Sequence, residues 1–542
     1  MPSASYEQSA YPFNAGPLGH IEGLTLSIHD KPSLHYFGGL PYALPPVGKY
    51  RFRRPRPLPP CYQLGTRASP GRFTGSAAVC PQPWDEDDKS LWDENCLQLN
   101  LYIPAGTAPK GGWPCFVYLH GGYLQWGDPN MAPESLVPLL TETAFKAIIV
   151  APAYRVNAFG FLASHELDDE ARKDNVEATG NCGFWDQRLA IEWAWKNVSL
   201  FSGDQTNVTL AGYSAGAHST FQQLAHELYF VSDEKAIIKR AIMWSNSPGV
   251  QPRSLDQHQT QFDELCAVLG IAHKSSATEK LTKLRAVPAT GLVAAQHHLT
   301  RSEFRAYSDD SFISSTIISH INSGDFAKRM KRRKIKLMNG ECRDEHNSYR
   351  SWRTPSDSYA AVKTRLTADY PSVVVEKLMK HYCKGTYDLP KGYKDWPDLF
   401  GHIYADCQVH NLERGFHNAL FKGGLVAGED VLRYRFDMRM KCVDAIIPPD
   451  WGVTHATDLD SIWFWGACGD GLTAGEKDML KDWNEQFAAF VRGDDVQWGP
   501  SDPKQMRRLR ADGKTDVWED DRWEQGLEVW DLLNGDEGKS RL

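Results

Sequence analysis

Ser214 stands in Gly212-Tyr213-Ser214-Ala215-Gly216, after the apolar stretch 207–211 and before a helical run over 215–224. A serine on a tight strand-to-helix turn exposes its hydroxyl, and small residues two positions either side let neighbouring backbone close around it. The free N–H groups at the start of the following helix face developing negative charge. Upstream, His120-Gly121-Gly122-Tyr123 follows the apolar run 115–119, and a glycine-rich turn at a strand end can aim further N–H groups at an oxyanion. Together the two motifs suit nucleophilic attack on a carbonyl carbon.

A serine hydroxyl needs a base, and the base needs a group to absorb its charge. Of the eighteen histidines, His455 is the last and lies in the loop that follows 431–436, where the base of such a system belongs. His218, four residues after Ser214 on the same helix, reads as a packing residue behind the turn. The acid should precede the base. Three carboxylates after the strand 335–338 compete for the role, Glu341, Asp344 and Glu345, and spacing leaves the choice open.

These residues need a scaffold. Short apolar runs at 115–119, 147–152, 208–211, 241–244, 335–338 and 431–436 alternate with helical patterns at 185–198 and from Ala215. Short buried strands separated by helices predict an α/β protein with a central, mostly parallel twisted sheet flanked by helices. Segments of about 250–330 and 355–430 look helical and amphipathic, and are expected as insertions that form a cap over the site.

Composition narrows the function classes. The chain has 542 residues, 42% of them hydrophobic and 24% charged, with a net charge of −8, which is ordinary for a folded soluble protein and disfavours nucleic acid as the main partner. The longest apolar stretch, around 147–154, is far short of a membrane span. Eleven cysteines are spread from Cys61 to Cys468 with no CxxC and no Cys/His cluster at zinc spacing, so no metal is expected. The basic run of Lys328, Arg329, Lys331, Arg332, Arg333, Lys334 and Lys336 reads as a solvated helix end entering a strand. The tail around Trp518, Glu519, Asp520, Asp521 and Trp523 reads as packing plus solvation. The amino terminus has neither a basic n-region nor an apolar h-region, so a secretory signal is not expected. The final Ser540-Arg541-Leu542 is a basic variant of the Ser-Lys-Leu peroxisomal address, which leaves cytosol and peroxisome as the expected locations. The sequons headed by Asn197 and Asn207 then read as fold residues.

Across nearly its whole length the chain resembles the type-B carboxylesterase and cholinesterase-like branch of the α/β-hydrolases. The resemblance is carried by Phe37-Gly38-Gly39-Leu40-Pro41-Tyr42-Ala43, Pro45-Pro46-Val47-Gly48 and Arg51-Phe52, then by Asp93-Glu94-Asn95-Cys96-Leu97-Gln98-Leu99-Asn100. It continues through 180–190 with Asp186-Gln187, Phe201-Ser202-Gly203-Asp204, Asn207-Val208-Thr209 and the Ser214 turn. It implies one α/β-hydrolase domain over 1–542. The family's Asp-Glu-Gly falls on Asp344-Glu345-His346, which makes Glu345 the acid, with histidine in place of the glycine. The family's histidine falls on His455. Its oxyanion donors fall on Gly122, Tyr123 and Ala215, with Tyr123 where a third glycine usually stands. The family's first disulfide would join Cys80 to Cys96. Cys266 has no evident partner for a second, and the redox state of the first pair should follow the compartment.

The expected chemistry is hydrolysis of a small or medium organic ester through an acyl-enzyme on Ser214, with His455 as base and acid, Glu345 orienting it, and no cofactor. The same groups could pass the acyl group to another acceptor or open or close a lactone. A non-catalytic cholinesterase-like binding module is the reading from another class, and the full set of named roles argues against it. Tyr123, Trp126, Trp185 and Ser245-Asn246-Ser247-Pro248 are expected to line the pocket, with core packing the competing role for Trp185. Tyr123 is expected to narrow the acyl side in favour of short or flat groups.

Overall fold

The computed structural model describes residues 6–83, 89–174 and 180–535. The tripeptide Ser540-Arg541-Leu542 lies outside the described residues.

A run such as Trp-Pro-Cys-Phe-Val-Tyr-Leu is apolar at almost every position, which suits a strand covered on both faces. It forms one of the strands of a long sheet. In chain order these are β1 (Glu7–Asn14), β2 (His20–Ile28), β3 (Lys31–Pro41), β4 (Gln98–Pro104), β5 (Trp113–Leu119) and β6 (Ile148–Pro152). They continue as β7 (Gly203–Tyr213), β8 (Ile238–Trp244), β9 (Lys336–Cys342), β10 (Val431–Phe436), β11 (Gln505–Leu509) and β12 (Thr515–Glu519). Their spatial order is β1-β2-β3-β4-β6-β5-β7-β8-β9-β10-β11-β12, with Gly71–Arg72 paired to β2. From β6 through β11 every pairing is parallel. The β1–β4 end, the β4–β6 junction and the β11–β12 hairpin are antiparallel.

The pleat sends Cys115, Val117 and Leu119 to one face and Phe116 and Tyr118 to the other. On the first face pack α1 (Cys182–Asn197) and α2 (Ala215–Phe230). The opposite face is covered by the long helix Ala474–Arg492 through Leu480, Trp483, Phe487 and Phe490. Short helices fill the segments between β8 and β9 and between β9 and β10. Among them are α3 (His346–Ser351), α4 (Tyr359–Asp369), α5 (Trp396–Ala405) and α6 (Asn411–Lys422).

Register fixes where the chemistry leaves the sheet. Gly212 lies opposite Leu119 on β5 and Met243 on β8, and Trp244 lies opposite Gly340 on β9. The carboxyl ends of four parallel strands therefore open at one edge, the usual place for a site in such a sheet.

The side chains between β9, β10 and α6 are charged rather than apolar. Glu341 accepts from Arg414 at 2.8 and 3.1 Å, meets His410 Nδ1 at 2.6 Å, and pairs with Arg435. Asp520 of the tail is buried here against Arg414 and Arg433. Asp520 and Trp523 thus pack while Glu519 and Asp521 stay exposed, the mixture of packing and solvation that the composition suggested. In the basic run, Arg329 pairs with Asp325 and both Arg332 and Arg333 with Asp233, on the helix that leads into β9. Cys80 and Cys96 are adjacent buried free thiols, and the hydrogen bond with Cys80, together with burial, pushes the Cys96 thiol well up. Asn197 is buried and donates to the Trp193 carbonyl, and Asn207 donates to the Arg492 carbonyl.

Candidate active site

Between β7 and α2, Ser214 has φ 56° and ψ −122°, a conformation that side chains rarely adopt. Such strain costs on the order of 1–3 kcal/mol and persists only where the surroundings over-determine it. Here its N–H donates to the Trp244 carbonyl at 2.9 Å and its carbonyl accepts the His218 N–H at 3.0 Å. The turn is too tight for side chains at the flanking glycines. A Cβ on Gly216 would sit 2.0 Å from the Leu119 carbonyl oxygen, and one on Gly212 would sit 2.0 Å from the Gly216 carbonyl oxygen.

The turn after β5 runs beside the serine: a Cβ on Gly121 would be 3.1 Å from that of Ser214. Gly122 has φ 107° and folds so close to Trp126 that a Cβ would meet its carbonyl oxygen at 2.0 Å. Tyr123, where the family usually has glycine, takes φ 56° all the same. Its carbonyl is held by Arg305 Nη1 and, at 3.2 Å, by Gln125 Nε2. The N–H groups of Gly122 and Tyr123 donate to no other described residue, so both are free for a ligand oxygen.

His455 is 5% exposed, between the rings of Tyr213 and Tyr349 at 4.8 Å each. Its Nδ1–H donates to Glu345 Oε2 at 2.5 Å, and the Tyr349 hydroxyl lies 3.4 Å from the same nitrogen. Glu345, fully buried, takes the Cys342 N–H on its other oxygen at 3.0 Å. Burial foremost, and then the Glu345 charge, push the Tyr213 and Tyr349 phenols well up, so both stay neutral beside it. With Nδ1 protonated, the Nε2 lone pair is open, and among the described residues Nε2 has no hydrogen-bond partner. It does not reach Ser214 Oγ in this structure; such contacts are commonly long before substrate binds.

Geometry separates the three competing carboxylates. Glu341 points into its cluster of cations, and Asp344 pairs with Arg343 and accepts the Val453 N–H at 2.9 Å. Only Glu345 of the three meets His455. His346 stacks its ring on His402 at 3.9 Å, so the histidine in place of the family's glycine leaves Glu345 free to meet His455. His346, Asp398 and His402 hold ligand-type atoms within 4.8 Å of one another. The two rings are 14° from parallel, so their lone pairs run side by side instead of converging, and Asp398 already accepts the Lys394 N–H at 3.1 Å. That is the packing of a stacked pair.

Ser214 and Ala215 form part of the wall of a cleft of about 800 Å³, counted to its open mouth. Tyr123, Tyr349, Arg253 and Arg305 also line it. Of the expected segment 245–248, Asn246 reaches the wall. Trp126 is not on that wall; it packs behind Tyr123, against Tyr123 and Trp352 at 5.1 and 5.0 Å. Trp185 does not line the cleft; it packs on Phe312 at 4.9 Å, under the Arg54 guanidinium. His218 does line it, and burial, aided by Arg305, pushes it down to about 4, so it is neutral at pH 7. Arg253, Arg305 and Asp369 carry no motif in the sequence and belong to segments that fold back over the sheet edge.

The carboxylesterase family model matches residues 12–529. The chain belongs to the carboxylesterase family. It is an enzyme of the carboxylesterase kind with the α/β-hydrolase fold. A carboxylic ester hydrolase from Gibberella moniliformis is 57% identical, over 99% of each chain. An esterase/lipase from Schizosaccharomyces pombe is 36% identical, over 96% of each. EstA of Aspergillus niger shares the fold with a TM-score of 0.72 at 20% identity, over 97% of this chain and 99% of that one. Among the described residues no helix is long and apolar enough to cross a membrane.

Proposed function

We propose that the protein hydrolyses small or medium carboxylic esters through an acyl-enzyme on Ser214. The observation that carries this is the 2.5 Å bond from His455 to the buried Glu345, which leaves Nε2 open on a ring packed against Tyr213, the residue before a serine held in a strained strand-to-helix turn. His455 takes the Ser214 proton as Oγ attacks the ester carbonyl, and Glu345 fixes the tautomer and stabilises the imidazolium. The N–H groups of Gly122, Tyr123 and Ala215 receive the oxyanion; each such donor contributes roughly 10²–10³ in rate. His455 then protonates the leaving alcohol, and water repeats the cycle on the acyl group. The helical insertions of about 250–330 and 355–430 act as the cap, with Arg253 and Arg305 from the first and Asp369 and Gln408 from the second on the cleft wall.

Intact mass spectrometry after exposure to a fluorophosphonate probe tests the reading, with wild type beside Ser214→Ala. One adduct on wild type and none on the variant is the expected result. Folded wild type that takes up no probe and cleaves no ester would overturn it.

A further inference from the structure

The charges on the cleft wall do not balance. Arg305 lines the cleft and pairs with Asp369, but Asp369 is shared: Arg365 also meets it, at 2.7 Å. Arg253 lines the same wall and forms no ion pair among the described residues. It donates instead to three backbone carbonyls, those of Thr367 at 2.6 Å, Ala368 at 3.2 Å and Tyr370 at 2.7 Å. The other carboxylate near these arginines, Glu303, is taken by Arg353 at 2.5 Å. Arg253, Arg305, Arg353 and Arg365 thus face Asp369 and Glu303, a surplus of cations beside the candidate nucleophile.

Burial sharpens the imbalance. Arg253 is 6% exposed, and the Arg305 side chain 18%. The Nε of Arg305 is buried with no hydrogen-bond partner among the described residues. Burial, with help from the Arg301 charge, pushes the Arg253 guanidinium down to about 10. Asp369 is itself buried, yet the two guanidinium groups hold it down at about 2, so it is a fixed anion with no capacity to neutralise more. Asp369 offsets the Arg305 charge, whereas Arg253 meets only carbonyl dipoles; a buried cation without a counter-charge is costly, and a carboxylate from outside would relieve it. The planar guanidinium fork matches that group better than it matches a neutral oxygen.

From this we infer that the cleft selects esters that carry a carboxylate on their acyl or alcohol portion, held by Arg253 and Arg305. The inference rests on the esterase reading above. A cationic wall would also repel esters with a quaternary ammonium group.

Matched ester pairs test it. On the acyl side, the mono-4-nitrophenyl ester of glutaric acid is compared with 4-nitrophenyl valerate. On the alcohol side, 4-acetoxybenzoate is compared with phenyl acetate, each rate divided by that ester's own hydroxide-catalysed rate. In at least one series the charged ester should lead in kcat/KM by about tenfold or more, the lower end of what a charge-assisted hydrogen bond contributes. The lead should shrink as salt is added and should be lost in Arg253→Gln and Arg305→Gln. A purely structural role for the arginines would lower both members of a pair alike. If the variants do not fold, inhibition of wild type decides: glutarate should compete with substrate where glutaramide does not. Equal inhibition, or a lead for the neutral ester in both series, overturns the inference while leaving the esterase reading intact. Absence of any turnover and of the fluorophosphonate adduct would instead overturn both.

Discussion

The ring of Tyr123 lies face to face with the indole of Trp352, their centroids 3.5 Å apart and their planes 17° from parallel. Arg365 covers the same indole at 4.7 Å. The residue that replaces a family glycine is therefore built into an aromatic and cationic stack, and its ring closes part of the cleft.

Tyr123→Gly should reopen that space. Against a series of 4-nitrophenyl esters, the ratio of kcat/KM for octanoate over butyrate should rise by about tenfold or more, as a few accommodated methylenes allow. An unchanged ratio would mean that the ring does not bound the acyl site.

Glu345→Gln keeps the size of the side chain and an acceptor for the Cys342 N–H, but removes the charge that stabilises the imidazolium. Turnover should fall by roughly 10³–10⁴ with circular dichroism unchanged. The control is Asp344→Asn, which should retain most activity because Asp344 faces Arg343 and the Val453 N–H.

Arg414→Met leaves Glu341 and Asp520 buried without their shared cation. Removing one partner of a buried ion cluster typically costs about 3–5 kcal/mol, so the midpoint of denaturant unfolding should drop clearly. Activity per folded molecule should change little. A midpoint equal to wild type would show that Arg433, Arg435 and His410 suffice.

Asp458 and Asp460 are pushed up to about 6, in each case chiefly by burial, with the nearby negative charge of Glu345 acting on the first and of Asp458 on the second. Their unfolded values are near 3.9, so the folded state holds these protons more tightly. Their contribution to stability is fully present below about pH 4 and is lost as pH rises through about 6. Asp458→Asn should therefore raise the melting temperature at pH 7.5 more than at pH 4.5. The gain is bounded by about 3 kcal/mol for a two-unit shift. A gain that does not vary with pH would show that Asp458 binds its proton equally well in the folded and the unfolded protein.

How much of this was legible beforehand depends on side-chain chemistry. Strands covered on both faces announce themselves, and 431–436 matches β10 to the residue. The edge strands do not: β1 is exposed at most positions, and β11 is written with two arginines between Met506 and Leu509. The Ser214 turn and the Gly121-Gly122 turn are local and could be read directly. Glu345 could not be separated from Glu341 and Asp344 by spacing, because the three differ only in what the fold brings to them; the family resemblance singled it out. Arg253, Arg305 and Trp352 were invisible, since no local pattern marks a side chain whose partners lie more than fifty residues away.

Arg305 spans two pieces of chain, bonded to the Tyr123 carbonyl on one side and to Asp369, the last residue of α4, on the other. The turn offering the Gly122 and Tyr123 N–H groups thus borrows its rigidity from a helix that contributes nothing to the sheet. Loosening that helix would blunt turnover well before it unfolded the protein. An assay of activity during mild heating would then report on the insertion, while far-ultraviolet circular dichroism reported on the sheet and its covering helices.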